Sequence, residues 1–411
     1  MNKTIAMLGS LDTKGAEYAF LKECIEAHGH KTLLIDTGVL EPPVIPADVS
    51  RTEVAAAGGA LLTDLVSKKD RGQAMAAMGL GAAVMLTQLY AQKKFDGVIA
   101  LGGTGGTSVA CTAMRALPLG VPKVMVSTCA GGDVSGYVGV KDIVMVPSIV
   151  DVAGINRISR EVFARAAGAI CGMVEAAIPP GSDKPLVVAS MFGNTTPCVN
   201  AAKAIMEKAG YEVLVFHCTG GGGRTMESLV EAKLVAGVLD ITTTEWADEL
   251  VGGVFSAGPT RLEAAARTGT PAIVAPGCLD MVNFWAPETV PAKFKGRTFY
   301  QHNPNVTLMR TDVRECAQLG KILAEKLNGS TGPVTVLIPL RGVSMIDLPG
   351  KPFHLPQANI AIFENLKKHL RKDIPLIEMD CDVNAPAFSA RCAETLLASM
   401  KDGQRARKDL T

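Results

Sequence analysis

Short apolar runs alternate with longer amphipathic stretches from the first residues of the chain onward. Residues 4–8 and 32–35 have the length and composition of buried strands, and residues 13–28 between them carry apolar positions at helical spacing. This rhythm predicts a βαβ unit, and the same alternation continues to about residue 177. It predicts further strands at residues 98–101, 121–126 and 142–147, and helices at residues 106–117 and 156–177.

The strongest candidate for a domain boundary is IPPGSDKP, residues 178–185, where prolines, a glycine and polar residues separate a helix from a new strand. We therefore expect domains at residues 1–180 and 184–411, the second ending in a charged tail after Met400. Its pattern predicts strands at residues 186–190, 213–216, 237–241, 272–275, 334–338 and 376–379. The predicted fold class is α/β, with two Rossmann-like domains, each an open, mostly parallel sheet flanked by helices, and a ligand cleft between them.

Composition argues against several classes of function. The 411 residues include 41 basic and 40 acidic side chains, so the chain lacks the positive charge expected of a protein that binds nucleic acid or an anionic membrane. Ten scattered cysteines, without CxxC or zinc-ligand spacing, indicate reduced thiols. Together with an amino-terminal sequence unlike a signal peptide, they predict a cytoplasmic protein.

One uncharged stretch, residues 72–92, has the length of a membrane span. Alanine and glycine dominate it and polar residues interrupt it, so its hydropathy is weak for a membrane helix. We expect two buried helical pieces here, divided near Gly79 and Gly81 and suited to a subunit contact.

The sequence LGGTGGTS places glycines and hydroxyl residues between a predicted strand and a predicted helix. Missing Cβ atoms let backbone N–H groups approach an anion, and the helix N-terminus favours negative charge. A tight turn that needs small residues is the simpler explanation, but two Gly-Gly pairs exceed what a turn requires. The nucleotide-binding candidates here are Gly102, Gly103, Thr104, Gly105, Gly106, Thr107 and Ser108.

A second loop, GSLDTKGAE, follows the first predicted strand, and loops after parallel strands of one sheet lie at the same edge. Helix capping with a solvated charge pair would also explain it. Its candidates are Gly9, Ser10, Asp12, Thr13 and Lys14, to which the segment 127–137 adds Thr128 and Asp133. Neither loop matches the GxxxxGK[ST] pattern or a standard GxGxxG site.

The second half contains HCTGGGGRT, whose glycines predict an anion-binding nest beside Arg224. Glu245 stands on the first turn of a predicted helix, and His302 lies in a stretch that resembles a loop. We consider these three residues as catalytic candidates, although a flexible linker, helix capping and a structural histidine are the plainer explanations. Three further polar residues either form hydrogen bonds within the core or contact a ligand: Asp280, Asn283 and Arg310.

Several of these segments, including IALGGTGGTS, MFGNTTPCV, LDITTTEWADELVGG and HNPNVTLMRT, resemble the Tm-one-like ATP-binding domain family from Ile5 to about Ser389. That family includes bacterial proteins and the amino-terminal half of the tomato mosaic virus resistance protein. The resemblance implies ATP binding in the first domain, on the two loops described above, and self-association. It also suggests a separate TIM-barrel protein as a partner. Leu355 and Ala385 depart from the pattern, because an acidic residue is expected at both positions.

Two main functions are consistent with these observations. The first is an ATP-dependent enzyme, with magnesium as a further cofactor, that acts on a small metabolite in the interdomain cleft. The second is a non-catalytic module that responds to a nucleotide and controls a protein partner. A third, a sugar-nucleotide enzyme, rests on architecture alone.

Overall fold

The computed structural model describes residues 2–181 and 184–408. The chain divides after Pro180 into two compact units, and each is described by itself below. Both units are layered α/β structures with a parallel main sheet, which confirms the predicted α/β class with two Rossmann-like domains.

The first unit is built on a five-stranded parallel sheet in the order β2-β1-β3-β4-β5. The strands are β1 (Thr4–Gly9), β2 (Lys31–Asp36), β3 (Gly97–Gly102), β4 (Lys123–Ser127) and β5 (Val144–Pro147). The helices are α1 (Gly15–Ala27), α2 (Arg51–Ala57), α3 (Leu62–Lys68), α4 (Arg71–Ala91), α5 (Thr104–Ala116), α6 (Ser135–Val138) and α7 (Arg157–Glu175). Each predicted strand of this half is present within three residues of its expected ends.

Helices cover both faces of this sheet, as the central strand β3 shows. All six of its residues are buried. Val98 and Ala100 belong to the core beneath α2, α4 and α5, whereas Ile99 and Leu101 belong to the core beneath α1 and α7. A strand that is covered on both faces consists of a continuous run of apolar residues, so its position could be predicted from the sequence.

The uncharged stretch forms one continuous helix, α4, so the predicted break near Gly79 and Gly81 is wrong. Gly81 lies against the backbone of α2, where a Cβ would stand 1.8 Å from the carbonyl oxygen of Val54. This glycine therefore permits close helix packing instead of ending the helix. By length and hydropathy alone α4 could cross a membrane, and 33% of its most apolar window is buried inside this unit.

The two glycines of α4 give a matched stability test. We expect Gly81→Ala to lower the free energy of unfolding by about 1–3 kcal/mol, because α2 and α4 must move apart. Gly79→Ala should be neutral or stabilising by up to about 1 kcal/mol, since its Cβ would make ordinary contacts with Thr112 at 3.6 Å. Thermal unfolding of both variants measures the difference, and an equal effect of the two substitutions would contradict this packing.

The second unit has a six-stranded parallel sheet in the order β14-β13-β9-β8-β6-β7, together with a small antiparallel sheet in the order β10-β12-β11. Its strands are β6 (Leu186–Met191), β7 (Glu212–His217), β8 (Gly237–Thr242), β9 (Ala272–Gly277), β10 (Met281–Phe284), β11 (Phe299–Asn303), β12 (Val306–Arg310), β13 (Val334–Pro339) and β14 (Leu376–Met379). Its helices are α8 (Thr196–Lys208), α9 (Gly221–Glu231), α10 (Glu245–Val251), α11 (Glu263–Thr268), α12 (Val313–Asn328), α13 (Pro356–His369) and α14 (Pro386–Lys408).

Read in chain order, both main sheets begin with the same topology: the second strand lies outside the first, and the third lies on the first strand's other side. The order therefore reverses between β1 and β3 in one unit and between β6 and β8 in the other. In open α/β sheets, such a switch point is where the carboxyl ends of the strands leave a crevice for a ligand.

The antiparallel sheet corrects the expectation of a loop around His302, which lies on β11, whereas Asp280 lies in the turn before β10. β10 pairs with β12 from Met281 opposite Arg310 to Phe284 opposite Thr307, and β11 adds the outer edge. All five residues of β11 are exposed, so the strand lacks the alternation that identifies a half-buried strand. The charged tail after Met400 continues α14 to Lys408, while residues 409–411 lie outside the described part.

Candidate functional site

The switch point of the first unit lies between the carboxyl ends of β1 and β3, which end at Gly9 and Gly102. These strands are parallel neighbours up to Leu8 and Ala100. The fold therefore places the two glycine loops predicted from the sequence at one edge of one sheet.

Tyr18 of α1 joins the two strands where their pairing ends. Its hydroxyl donates to the carbonyl oxygen of Leu8 at 2.5 Å and accepts from the backbone N–H of Leu101 at 2.8 Å. The side chain is fully buried, and burial raises its pKa above the usual value. A Cβ on Gly9 would stand 2.0 Å from this hydroxyl, so the glycine makes room for the tyrosine and not directly for a ligand.

The α5 N-terminus is the part of this edge that is best suited to an anion. Gly103 is the N-cap residue and provides no side-chain cap. Its carbonyl accepts from Thr107 N at 2.8 Å, but within the described residues the N–H groups of Thr104, Gly105 and Gly106 have no protein acceptor. Gly102 is needed for close approach of the strand end to the helix, since a Cβ on Gly102 would lie 2.9 Å from the Cα of Gly106.

Arg71, the first residue of α4, brings a positive charge to this helix end. One of its terminal nitrogens lies 3.1 Å from the position that a Cβ on Gly105 would occupy. Arg71 could not be selected from the sequence, because it precedes the glycine loop by more than 30 residues and belongs to no motif. Packing of α4 against α5 creates the proximity.

The remaining candidates of this loop divide into structural and accessible groups. Thr107 is fully buried, and its hydroxyl lies 2.7 Å from that of Ser127, which also accepts from Cys129 N at 2.9 Å. Ser108 is half-buried. Thr128 donates its N–H to Gly102 O at 3.3 Å, so the loop after β4 lies against the glycine loop.

The loop after β1 uses its charged side chains internally. Asp12 accepts from the N–H groups of Thr13 at 2.7 Å and Leu40 at 2.9 Å, and Lys14 donates to the carbonyl of Val152. The structure therefore gives both charges a protein partner, while Thr13 is exposed and Ser10 is half-buried.

Metal ligands are sparse at this edge. Asp133 is exposed and accepts from Ser135 N at 2.9 Å. No group of three or more His, Cys, Asp or Glu side chains that could hold a metal ion occurs among the described residues.

In the second unit, the glycine run does form an anion nest, and the anion is Glu245. One carboxylate oxygen of Glu245 accepts from Gly220 N at 2.8 Å and from Gly223 N at 3.0 Å. A Cβ on Gly223 would stand 2.0 Å from the carboxylate, and Gly220 has a φ of +77°, so both positions favour glycine. Glu245 is 1% exposed, which places this catalytic candidate inside the protein.

Arg261 completes this buried cluster, and sequence reasoning missed it. Its guanidinium binds both oxygens of Asp240 at 2.5 and 2.6 Å, Glu245 at 2.8 Å and Glu227 at 3.1 Å. One cation thus faces three carboxylates, with burial raising the pKa of Glu227. Such an arrangement fixes β8, α9 and α10 relative to one another.

The other two catalytic candidates are at the surface. Arg224 is exposed and donates to Ser256 O at 3.4 Å. His302 is exposed on β11. Partial burial of His217, together with the charge of His302, lowers the pKa of His217. The two positions that depart from the family pattern are backbone acceptors here: Leu355 O accepts from Arg310 at 3.5 Å, and Ala385 O accepts from Phe388 N at 2.9 Å.

Two buried carboxyl groups predict the pH dependence of stability. Burial raises the pKa of Asp248 to about 7, although Asn283 donates to it. Burial, with the neighbouring Asp347 carboxylate, also raises the pKa of Asp280 to about 7. Between the ordinary value of 3.8 and about 7, the folded protein holds protons that the unfolded chain has lost, so stability falls as the pH rises through this window.

We expect each group to contribute a slope of up to about 1.4 kcal/mol per pH unit between pH 5 and 7. Asp248→Asn removes one contribution, so the variant should gain stability relative to wild type as the pH rises. Denaturant unfolding at several pH values measures the slope, with the exposed Glu325→Gln as the control. An unchanged slope in Asp248→Asn would contradict the protonated state of this group.

Comparison with known proteins gives matches over nearly the whole chain. A UPF0261 protein of Clostridium tetani is 49% identical over 98% of this chain and 100% of its own length. The ToMV susceptible protein tm-1(GCR26) of Solanum lycopersicum is 38% identical over 89% of this chain, which spans 51% of the tomato protein.

Solved structures add only distant likeness. UDP-N-acetylglucosamine 2-epimerase from Rickettsia bellii is 11% identical, with 66% of this chain and 79% of that chain covered at a TM-score of 0.24. In contrast, the models of the uncharacterised protein family UPF0261 match residues 3–179 with its N-terminal domain and residues 184–400 with its C-terminal domain. The chain belongs to this UPF0261 family.

Proposed function

We propose that the first unit binds ATP, or a related nucleotide polyphosphate, at the α5 N-terminus. The observation that carries the proposal is the combination of three first-turn amides that have no acceptor among the described residues and the Arg71 guanidinium beside Gly105. Both lie at the switch point of a parallel sheet, where nucleotide phosphates commonly bind.

The physical basis is electrostatic. A helix N-terminus carries about half a positive charge, and its free N–H groups point toward an approaching anion. Arg71 supplies a full charge and can pair two phosphate oxygens. Thr107 and Ser127 are hydrogen-bonded to each other, so we assign them to holding the loop in shape.

Magnesium fits this edge only through the phosphates of the nucleotide. Asp12 is committed to backbone N–H groups, and Asp133 is exposed and already accepts from Ser135 N. We therefore assign no protein ligand to a metal ion.

Thr104→Pro gives a sharp test, because Thr104 is the first residue of α5. Proline is favoured at this position and needs no N–H there, and Gly103 before it has an extended conformation that proline tolerates. We expect the variant to fold as well as wild type but to bind ATP about tenfold more weakly, since one amide donor is lost. Thr104→Ala, which loses only the hydroxyl, is the matched control. Calorimetric titration measures both.

Arg71→Gln tests the charge. We expect its Kd for ATP to rise about tenfold or more, and the difference from wild type should shrink at high salt. Arg165→Gln on α7 removes an exposed arginine whose partner is Glu161 and should leave the Kd unchanged. Unchanged ATP binding in both Thr104→Pro and Arg71→Gln would show that ATP does not bind at the α5 N-terminus.

A non-catalytic, nucleotide-responsive module is the second candidate function. The observation that favours it is the position of Glu245, which is buried and bound to Arg261 and two backbone amides instead of facing a ligand. The module predicts tight ATP binding without ADP formation across a panel of small metabolites. Turnover with any of them would favour an ATP-dependent enzyme.

A further inference from the structure

Four aromatic rings form a continuous band in the second unit, which we call the aromatic band: Trp285, Phe255, Phe192 and His217. Successive ring centroids lie 5.2, 6.3 and 5.2 Å apart, and every pair meets edge to face. Phe192 directly follows β6, and His217 is the last residue of the neighbouring strand β7. This part of the band therefore lies at the carboxyl edge of the main sheet. That edge is where parallel α/β sheets bind ligands.

Both ends of the band are accessible. Trp285 is 50% exposed although it is the largest apolar side chain available for a core. His217 lies at the other, exposed end, where burial of part of its ring, together with the charge of His302 on β11, lowers its pKa. The lowered pKa leaves His217 neutral near pH 7.

Arg224 brings one cation to the band. Its guanidinium donates to the carbonyl oxygen of Ser256, the residue after Phe255, at 3.4 Å. The hydroxyl of Ser256 in turn donates to Glu249. No ion pair to Arg224 is present among the described residues, so most of its donors remain for a ligand.

The neighbouring glycine nest cannot add to this anion-binding capacity. Two of its amides, Gly220 N and Gly223 N, are satisfied by Glu245. A phosphate dianion carries two charges, but only one guanidinium is available to it here. A single carboxylate carries one charge, which one arginine neutralises.

We propose that the aromatic band and Arg224 form a binding site for a planar aromatic carboxylate. The ring of the ligand packs against the exposed Trp285, which the buried Phe255 supports edge to face, and its carboxylate pairs with Arg224. Edge-to-face aromatic contacts favour a planar ring over a saturated one of equal size. The proposal concerns the second unit and is independent of nucleotide binding in the first.

The two tryptophans of the chain provide a direct readout. Trp246 is buried with an indole N–H that finds no acceptor in the described part of the chain, so Trp246→Phe removes an unsatisfied donor and leaves Trp285 as the only tryptophan. We would titrate this full-length variant with benzoate, cyclohexanecarboxylate and benzamide, following Trp285 fluorescence and ligand-observed NMR saturation transfer. Cyclohexanecarboxylate keeps the charge of benzoate but lacks the aromatic ring, and benzamide keeps the ring but lacks the charge.

We expect saturable binding of benzoate, with cyclohexanecarboxylate and benzamide each binding about tenfold more weakly. Arg224→Gln should weaken benzoate about tenfold and leave benzamide unchanged, while Phe255→Leu should weaken both aromatic probes. Arg314→Gln, an exposed arginine of α12, is the control for general charge loss. ATP titration of the same variants should give wild-type affinity.

Three results would overturn the proposal. These are the absence of saturable benzoate binding up to about 10 mM, equal binding of benzoate and cyclohexanecarboxylate, and wild-type benzoate binding by Arg224→Gln. Each leaves the nucleotide proposal untouched, because that site is tested by Thr104 and Arg71.

Discussion

Arg261→Met should destabilise the second unit by about 3–5 kcal/mol, the cost of removing one partner from a buried ion cluster. The side chain is 1% exposed and is the only cation that the structure places against Asp240, Glu245 and Glu227 within the described residues. Methionine approximates its volume, so the loss is chiefly of charge. Hydrogen exchange of β8 and α9, which reports on this unit alone, measures the effect.

The expected pH dependence separates this explanation from simple loss of packing. Without the guanidinium, the remaining carboxyl groups can stay buried only by taking up protons. The variant should therefore recover part of its stability as the pH is lowered from 8 to 5. Asp240→Asn in the Arg261→Met background should restore part of it at pH 8 as well.

Arg341→Met is the matched control. Arg341 also binds both oxygens of one carboxylate, Asp380, at 2.7 and 2.6 Å, but both side chains are exposed. Its loss should cost at most about 1 kcal/mol, because water already solvates both charges. Equal destabilisation by Arg261→Met and Arg341→Met would show that burial does not set the energetics of the cluster.

The main sheets were predictable because each of their central strands is buried on both faces. β3 and β8 consist entirely of buried residues, and each is followed by a loop and a helix. This combination of apolar runs and turn residues depends on local sequence alone. β11 lacks it, because its five residues are exposed and its pairing with β12 brings no buried face.

The candidate sites were only partly predictable, because glycine runs have more than one physical cause. At Gly9 the small residue accommodates Tyr18 and at Gly223 it accommodates Glu245, whereas Gly105 and Gly106 keep amides that have no acceptor among the described residues. The sequence shows the same residue type in all three places. Which neighbour fills the space is decided by side chains from distant positions, such as Arg71 and Glu245.

Tyr18→Phe should lower the stability of the first unit by about 2–4 kcal/mol and also weaken nucleotide binding. The hydroxyl is the link between β1 and β3 where their ladder ends, and phenylalanine would leave Leu8 O and Leu101 N buried without a partner. Each unsatisfied backbone group costs about 1–3 kcal/mol. Tyr90→Phe is the control, since its ring packs on Phe95 and no hydrogen bond of its hydroxyl occurs among the described residues.

The effect on binding follows from the position of this link. Leu8 and Leu101 directly precede Gly9 and Gly102, so a separation of the strand ends displaces the start of the glycine loop and of α5. We expect the Kd for ATP to rise severalfold at a temperature where the variant is still folded, because a shift of about 1 Å at a phosphate cradle is costly. If Tyr18→Phe lost stability but bound ATP as tightly as wild type, the tyrosine would support the sheet without positioning the loop. If stability were also unchanged, the hydroxyl would have no role in joining the strands.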